Sequence, residues 1–374
     1  MTDLNVEVAS LAGFKLDLQD LGATLSSNTA RLLPAVTLPT GAAGLIATLT
    51  PSFEKFRNAI SSAQQGDLAT VNTLSENLAI AATRYRTTDD ASTNALSAAS
   101  MNAFSDTGVA GRSDDGVKRF GGLQLPSLSE VQENQYTVRE VVTTAIEHVS
   151  GYDEPLGAAI GLKPAADYLI PLVVDWEALQ AIGKRIGLLG INDYVASENI
   201  IGGTRWLRSS WSGDASQAFE TSASTLGQSV AERSTDLDMV SKIVENGGAC
   251  LERLVYNQAM GLAGGLLQSM SFLGFSLPLG DWAQLVDRPI RESIKSEITS
   301  AVDSLKKSAE SRRASMTTII ERICRAVDYV PGRTIPSFNA SEFEISDKVV
   351  VDIGTIRYGF GDNVWWENSI ASTP

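Results

Sequence analysis

The sequence predicts a mainly α protein: an elongated helical bundle built from two antiparallel helical hairpins, with a small β-like C-terminal tail. Three observations carry the prediction. Apolar residues recur at steps of three and four through most of the chain, the spacing of one helix face. Breaks rich in proline and glycine divide these stripes. After residue 330 the chain turns to β-branched and aromatic residues punctuated by glycine.

Val8, Leu11, Phe14, Leu18, Leu21 and Leu25 place the first helix within residues 6–30. Pro34, Pro39, Gly41 and Gly44 then interrupt it. A second stripe opens at Pro51-Ser52, meets a kink at Gln65-Gly66-Asp67, and runs through Leu68, Val71, Leu74, Leu78, Ala81 and Tyr85. This hairpin, residues 1–100, cannot bury its apolar seams alone and needs more helices. Residues 101–127, rich in Ser, Asp and Gly, read as a flexible linker.

Residues 128–330 read as a second helical domain. Its pattern begins in Ser127–Val149, and Pro155, Pro164 and Pro171 cut the next stretch into short helices or loops. Asp175–Leu189 and Asn192–Ser209 read as two short amphipathic helices. Asp214 is placed to cap a long one, with Phe219, Leu226, Val230, Leu237 and Val244 facing inward. Residues 288–327 form a charge-laced helix on Ile290, Ile294, Ile298, Val302 and Leu305, ended by Pro331-Gly332. In the tail, residues 331–374, Val349, Val351, Ile353, Ile356 and Tyr358 predict a β-hairpin or an extended segment packed on the helices. Trp365-Trp366 would anchor it in a groove.

Leu254–Gly280 contains no charged residue. Its length could span a bilayer, with Leu262, Leu266, Leu267, Phe272 and Phe275 forming a membrane or oligomer segment. Asn257, Gln258, Gln268 and Pro278 dilute it, which favours a buried central helix or helix–turn.

Composition excludes several functions. A net charge of −14 leaves nothing to neutralise nucleic-acid phosphates and argues against attraction to anionic lipid. One histidine, His148, is a poor basis for Ser-His or Cys-His chemistry. The acidic pairs Asp89-Asp90, Asp114-Asp115 and Asp236/Asp238 are candidates only because acidic residues are plentiful, and Asp114-Asp115 sits in the linker, where no dry pocket would raise a pKa. Cys250 and Cys324 make no C-x-x-C motif and read as buried thiols, with a single bridge as the alternative. No cofactor, metal or catalytic residue is predicted. The first residues carry no basic and apolar leader pattern, so export would need a route other than the Sec pathway.

Two short signals remain. Tyr85 and Asp89 lie four residues apart in Tyr85-Arg86-Thr87-Thr88-Asp89 and share one helix face. Trp211-Ser212-Gly213 sits at a break between helices. Gly213 permits a turn closed to other residues, and Trp211 offers a wide apolar face with an N–H. If the two hairpins pack side by side, these residues form one composite surface at a bundle tip.

The stretch Leu78 to Ala91 around Tyr85-x-x-x-Asp89 resembles the EspC-like substrates of type VII (Esx) secretion systems. Residues near 165–250 resemble the W-x-G hairpin of the same substrates. Both in one chain resemble the EspB-like fusion of a PE-type and a PPE-type hairpin, over roughly two-thirds of the sequence. The resemblance implies a non-enzymatic protein exported folded, without a cleaved leader, and secreted or held at the cell envelope. It implies a type VII secretion ATPase reading Tyr85, Asp89, Trp211 and Gly213, a cytosolic chaperone as a second partner, and assembly into a homo-oligomer. Residues 101–165, the segment 254–280 and the tail fall outside it. The alternative is a membrane-active, pore-forming effector that uses residues 254–280.

Overall fold

A computed structural model describes residues 6–101, 116–124, 128, 131, 138–344 and 347–351. The protein is mainly α. Its principal helices are α1 (Val8–Leu32), α2 (Thr50–Met101), α3 (Val138–Val149), α4 (Asp153–Ile160), α5 (Pro164–Tyr168), α6 (Ala178–Leu207), α7 (Asp214–Leu267), α8 (Leu279–Ala283) and α9 (Glu292–Val327). One two-stranded sheet joins β1 (Ser269–Phe272) to β2 (Phe275–Pro278).

The chain forms two compact units, each gathered from three stretches. The first takes Met1–Pro34, Asn58–Ser129 and Leu188–Asp238; the second takes Ala35–Arg57, Glu130–Gly187 and Met239–Pro374. Helices α2, α6 and α7 each contribute a segment to both.

In the first unit the predicted stripes meet. Leu11, Phe14 and Leu18 of α1 pack with Val71, Leu74 and Leu78 of α2, Ile200 and Leu207 of α6, and Phe219 and Leu226 of α7. Glycines set the spacing. A Cβ on Gly22 would meet Val71 at 3.4 Å, and one on Gly203 would strike the Phe14 ring at 2.0 Å. The Ser75 hydroxyl donates to the Lys15 carbonyl at 3.4 Å. As numbering rises along α1 it falls along α2, so the two run antiparallel, as predicted.

Three details of this unit differ from expectation. The stretch Gln65-Gly66-Asp67 lies in uninterrupted helix. Gly190 does not divide two short helices, because α6 is continuous. A Cβ there would sit 3.2 Å from Leu237 Cβ, so the residue permits close helix approach instead of ending a helix. Asp214 opens α7 as its first residue, and the carbonyl that accepts its first-turn bond is that of Gly213, from the Gln217 N–H at 3.0 Å.

Residues 116–124, expected to be free linker, are strapped onto the first unit. Lys118 N–H donates to the Ala9 carbonyl at 3.2 Å. Arg119 Nε pairs with Asp17 at 2.6 Å, and Phe120 packs on Trp206 with centroids 6.0 Å apart. Asn199 accepts from Leu123 N–H at 2.7 Å and returns a bond to its carbonyl at 2.9 Å. The seat exists because Gly13 lacks a side chain: a Cβ there would lie 1.5 Å from the Lys118 carbonyl oxygen. Gly13→Ala should therefore lift the strap, and amide exchange at Lys118 and Leu123 should rise by at least about tenfold, the equivalent of ~1.4 kcal/mol of lost protection. Unchanged exchange at both amides would contradict the strap.

The second unit closes around Trp176, which is fully buried and donates from Nε1 to the Leu172 carbonyl at 3.0 Å. Val138, Val141, Val142, Ala145 and Val149 form the buried face of α3. The later part of α7 runs antiparallel to α9. Gly247 faces Ile323, Gly261 faces Arg312, and Gly265 faces Leu305. Cys250 is buried and Cys324 half-buried, both as free thiols. Burial pushes the Cys250 thiol up to about 12, so it is an unreactive core residue.

The charge-free segment is not a membrane span. Among the described residues no helix is long and apolar enough to cross a bilayer. Leu262 and Leu266 are fully buried within α7, and Leu267 ends that helix half-buried. The chain then turns into the β1–β2 hairpin. Phe272 packs edge-on against Trp282 at 5.2 Å, while Phe275 is 66% exposed.

The predicted β character thus lies in residues 269–278 and not in the described part of the tail. That part holds a 3₁₀ turn, Ala340–Phe343, and a stretch without regular secondary structure at 347–351. Ile353, Ile356, Tyr358 and Trp365-Trp366 lie outside the described residues, as do Asp114-Asp115.

Candidate functional site

The Trp-Ser-Gly turn joins α6 to α7 in the first unit. Gly213 has φ of 106°, a left-handed conformation that glycine adopts without a Cβ penalty. The Ser216 hydroxyl donates to the Trp211 carbonyl at 2.9 Å and fixes the turn. Trp211 also forms a β-bridge with Val6, and Glu7 N–H donates to the Ser210 carbonyl at 2.8 Å. The first described residues of the chain therefore clasp this turn. No pattern in the sequence indicated that contact, since a single bridge has no periodicity.

Two of the four predicted signal residues touch directly. Trp211 Nε1 donates to Tyr85 Oη at 3.4 Å. Asp89 lies one helical turn beyond Tyr85 on the same face of α2, and its carboxylate is exposed. Gly213 sits two residues past Trp211, half-buried.

The placement differs from the predicted exposed tip in two respects. Trp211 is only 3% exposed and belongs to the core, against Phe219 at 5.7 Å. Tyr85 and Asp89 lie inside a helix that continues to Met101, not near its end. What reaches solvent is the half-buried Tyr85 ring, the Asp89 carboxylate and a groove of about 730 Å³ between α2 and α7. Ile80, Arg84, Tyr85, Trp211 and Phe219 line it.

Elsewhere in the first unit lies a charge cluster that the sequence did not reveal. Arg233 of α7 pairs through Nε with Asp193 of α6 at 2.6 Å and through Nη1 with Asp67 of α2. The Arg233 side chain is 4% exposed and that of Asp193 is fully buried. Burial works against the guanidinium charge, but Asp193 and Asp67 outweigh it and hold the Arg233 pKa up. One arginine thus bonds three helices at a fixed register.

In the second unit two carboxyls share a dry setting. Glu177 Oε1 accepts the Val138 N–H at the start of α3, while Oε2 has no hydrogen-bond partner among the described residues. Burial raises Glu177 to about 7, with Asp175 and Glu140 adding to the rise. Glu252 accepts from Gln180 Nε2 at 2.6 Å. Burial and the nearby Glu177 raise it to about 8, against the opposing pull of Arg253. The signal was present in the sequence: Glu252 interrupts an apolar run on the inward face of α7.

Among the described residues no three His, Cys, Asp or Glu side chains converge as a metal-binding group. No family model, curated protein or solved structure matches the chain.

Proposed function

We propose that this protein is a non-enzymatic substrate of a type VII secretion system, exported folded and acting outside the cytoplasm as a self-associating assembly or envelope factor. The supporting observation is the Trp211–Tyr85 contact. Two motifs, Tyr85-x-x-x-Asp89 and Trp211-x-Gly213, lie more than a hundred residues apart in sequence, yet they meet at 3.4 Å in one unit. The secretion ATPase would read the exposed part of that junction: the Tyr85 edge, the Asp89 carboxylate and the backbone at Gly213. Trp211 supplies the floor that holds Tyr85 in place.

Export by the producing cell tests this reading. Tyr85→Ala and Gly213→Ala should each abolish secretion while the protein still accumulates folded inside the cell. Gly213→Ala forces a side chain into the left-handed region at roughly 1–2 kcal/mol, a cost a folded protein of this size survives. Wild-type export of both variants would remove the motifs from the account.

The exposed hairpin turn supports a second reading, contact with a membrane surface. Leu273, at φ of 55°, is 56% exposed and Phe275 is 66% exposed. They would enter the interface as a wedge, not as a spanning segment. Leu273→Asp with Phe275→Asp should then abolish dye release from zwitterionic vesicles. Absence of any release by the unmodified protein would dismiss this reading.

A further inference from the structure

The second unit contains a cleft of about 840 Å³ between the end of α7 and α9. One of its walls is a ladder on α9: Ser304, Ser308 and Arg312 step by four and share a face. The opposite wall is the glycine surface Gly261, Gly264 and Gly265, which lies against Arg312, Val351 and Leu305 respectively. Leu267, Leu305 and Val351 add an apolar flank.

Arg312 is the unusual member. Its guanidinium lies against Gly261, where a Cβ would come 2.7 Å from Nη2. Of the five N–H donors an arginine carries, one is engaged among the described residues: Nη1 donates to Gln258 Oε1 at 3.2 Å. No described carboxylate pairs with it, unlike Arg233, which holds two. Burial lowers the Arg312 pKa, and no described carboxylate opposes it. In a chain with net charge −14, a half-buried arginine that pairs with no described acid is a selective feature. The Arg312 donors that no described residue takes and the Ser308 hydroxyl border the same cleft, which has the volume of a small-molecule site.

We propose that this cleft binds an amphiphilic anion, a carboxylate or phosphate head on an apolar stem. The head takes two N–H groups of Arg312 and the hydroxyl of Ser308, the forked geometry that guanidinium offers to oxyanions. The stem lies along Leu267, Leu305 and Val351. This site is independent of the export signal and stands whether or not that reading holds.

The test is calorimetric titration of the full chain with decanoate, decyl phosphate and inorganic phosphate, each amphiphile below its micelle concentration. One of the two amphiphiles should bind at one site per chain, and which one does so identifies the head. Inorganic phosphate should bind at least about tenfold more weakly, because it buries no stem. Arg312→Gln should weaken the amphiphile by at least about tenfold, the worth of hydrogen bonds to a charged group. Ser308→Ala, a surface change that leaves the fold intact, should weaken it about threefold and carries the test if Arg312→Gln does not fold. Three results overturn the proposal: no saturable binding of either amphiphile, binding indifferent to the folded variants, or inorganic phosphate binding as tightly as the amphiphiles.

Discussion

Arg233→Leu should destabilise the first unit by about 3–5 kcal/mol, the cost of leaving buried carboxylates without their cation. The arginine is 4% exposed and bridges Asp193 and Asp67 from three different helices, so its loss strands two acids at once. Amide exchange along residues 58–90, 188–207 and 214–238 should report the loss, because the unit then opens at lower free energy. Replacing all three partners with leucine should recover most of the stability, since an apolar core forfeits no ion solvation. The recovery separates the charge cluster from simple loss of volume. A loss below about 1 kcal/mol for Arg233→Leu would mean that water already solvates the cluster.

The second large effect is on pH. Glu177 and Glu252 are raised from an ordinary value of 4.5 to about 7 and about 8. Their pKa is higher in the folded chain than in the unfolded one, so between these limits the folded chain holds more protons. The stability these two groups contribute is then full below about pH 4.5, declines as pH rises to about 8, and is constant above it. At about 1.4 kcal/mol per pH unit and group, the second unit should lose on the order of 7 kcal/mol between pH 5 and pH 8. Glu252→Gln keeps the shape and the bond to Gln180 and should flatten most of that decline in a series of urea melts. A Glu252→Gln profile as steep as that of the unmodified protein would place the pH dependence elsewhere.

The helices were legible because burial of one face imposes a period that sequence preserves. The stripe from Val8 to Leu25 became α1, and that from Ile294 to Val302 became part of α9. What sequence could not distinguish was why a glycine is present. Asp175–Leu189 and Asn192–Ser209 read as two helices, but Gly190 between them makes room for Leu237 in a close helix crossing of one continuous α6. The glycines of residues 101–127 suggested flexibility, but the seat of the 116–124 strap depends on Gly13, a hundred residues away. A contact of that range leaves no local pattern.

The candidate site was legible in half. The spacing of Tyr85 and Asp89 and the turn at Gly213 follow from local geometry, and the Trp211–Tyr85 contact was anticipated. The depth of Trp211 was not, because an indole with one hydrogen bond fits a core as well as a surface. The Arg233 cluster and the Glu177–Glu252 pair escaped for a related reason. Each brings together charged residues far apart in the chain, and charge in a sequence ordinarily signals a solvated face.

Asp89→Ala gives the most direct test of the export reading. The carboxylate is exposed on α2, so its removal should leave thermal stability within about 0.5 kcal/mol of the unmodified protein. Secretion by the producing cell should nevertheless fall to background while intracellular protein accumulates. Asp89→Ala protein appearing in the medium at the unmodified level would contradict the account.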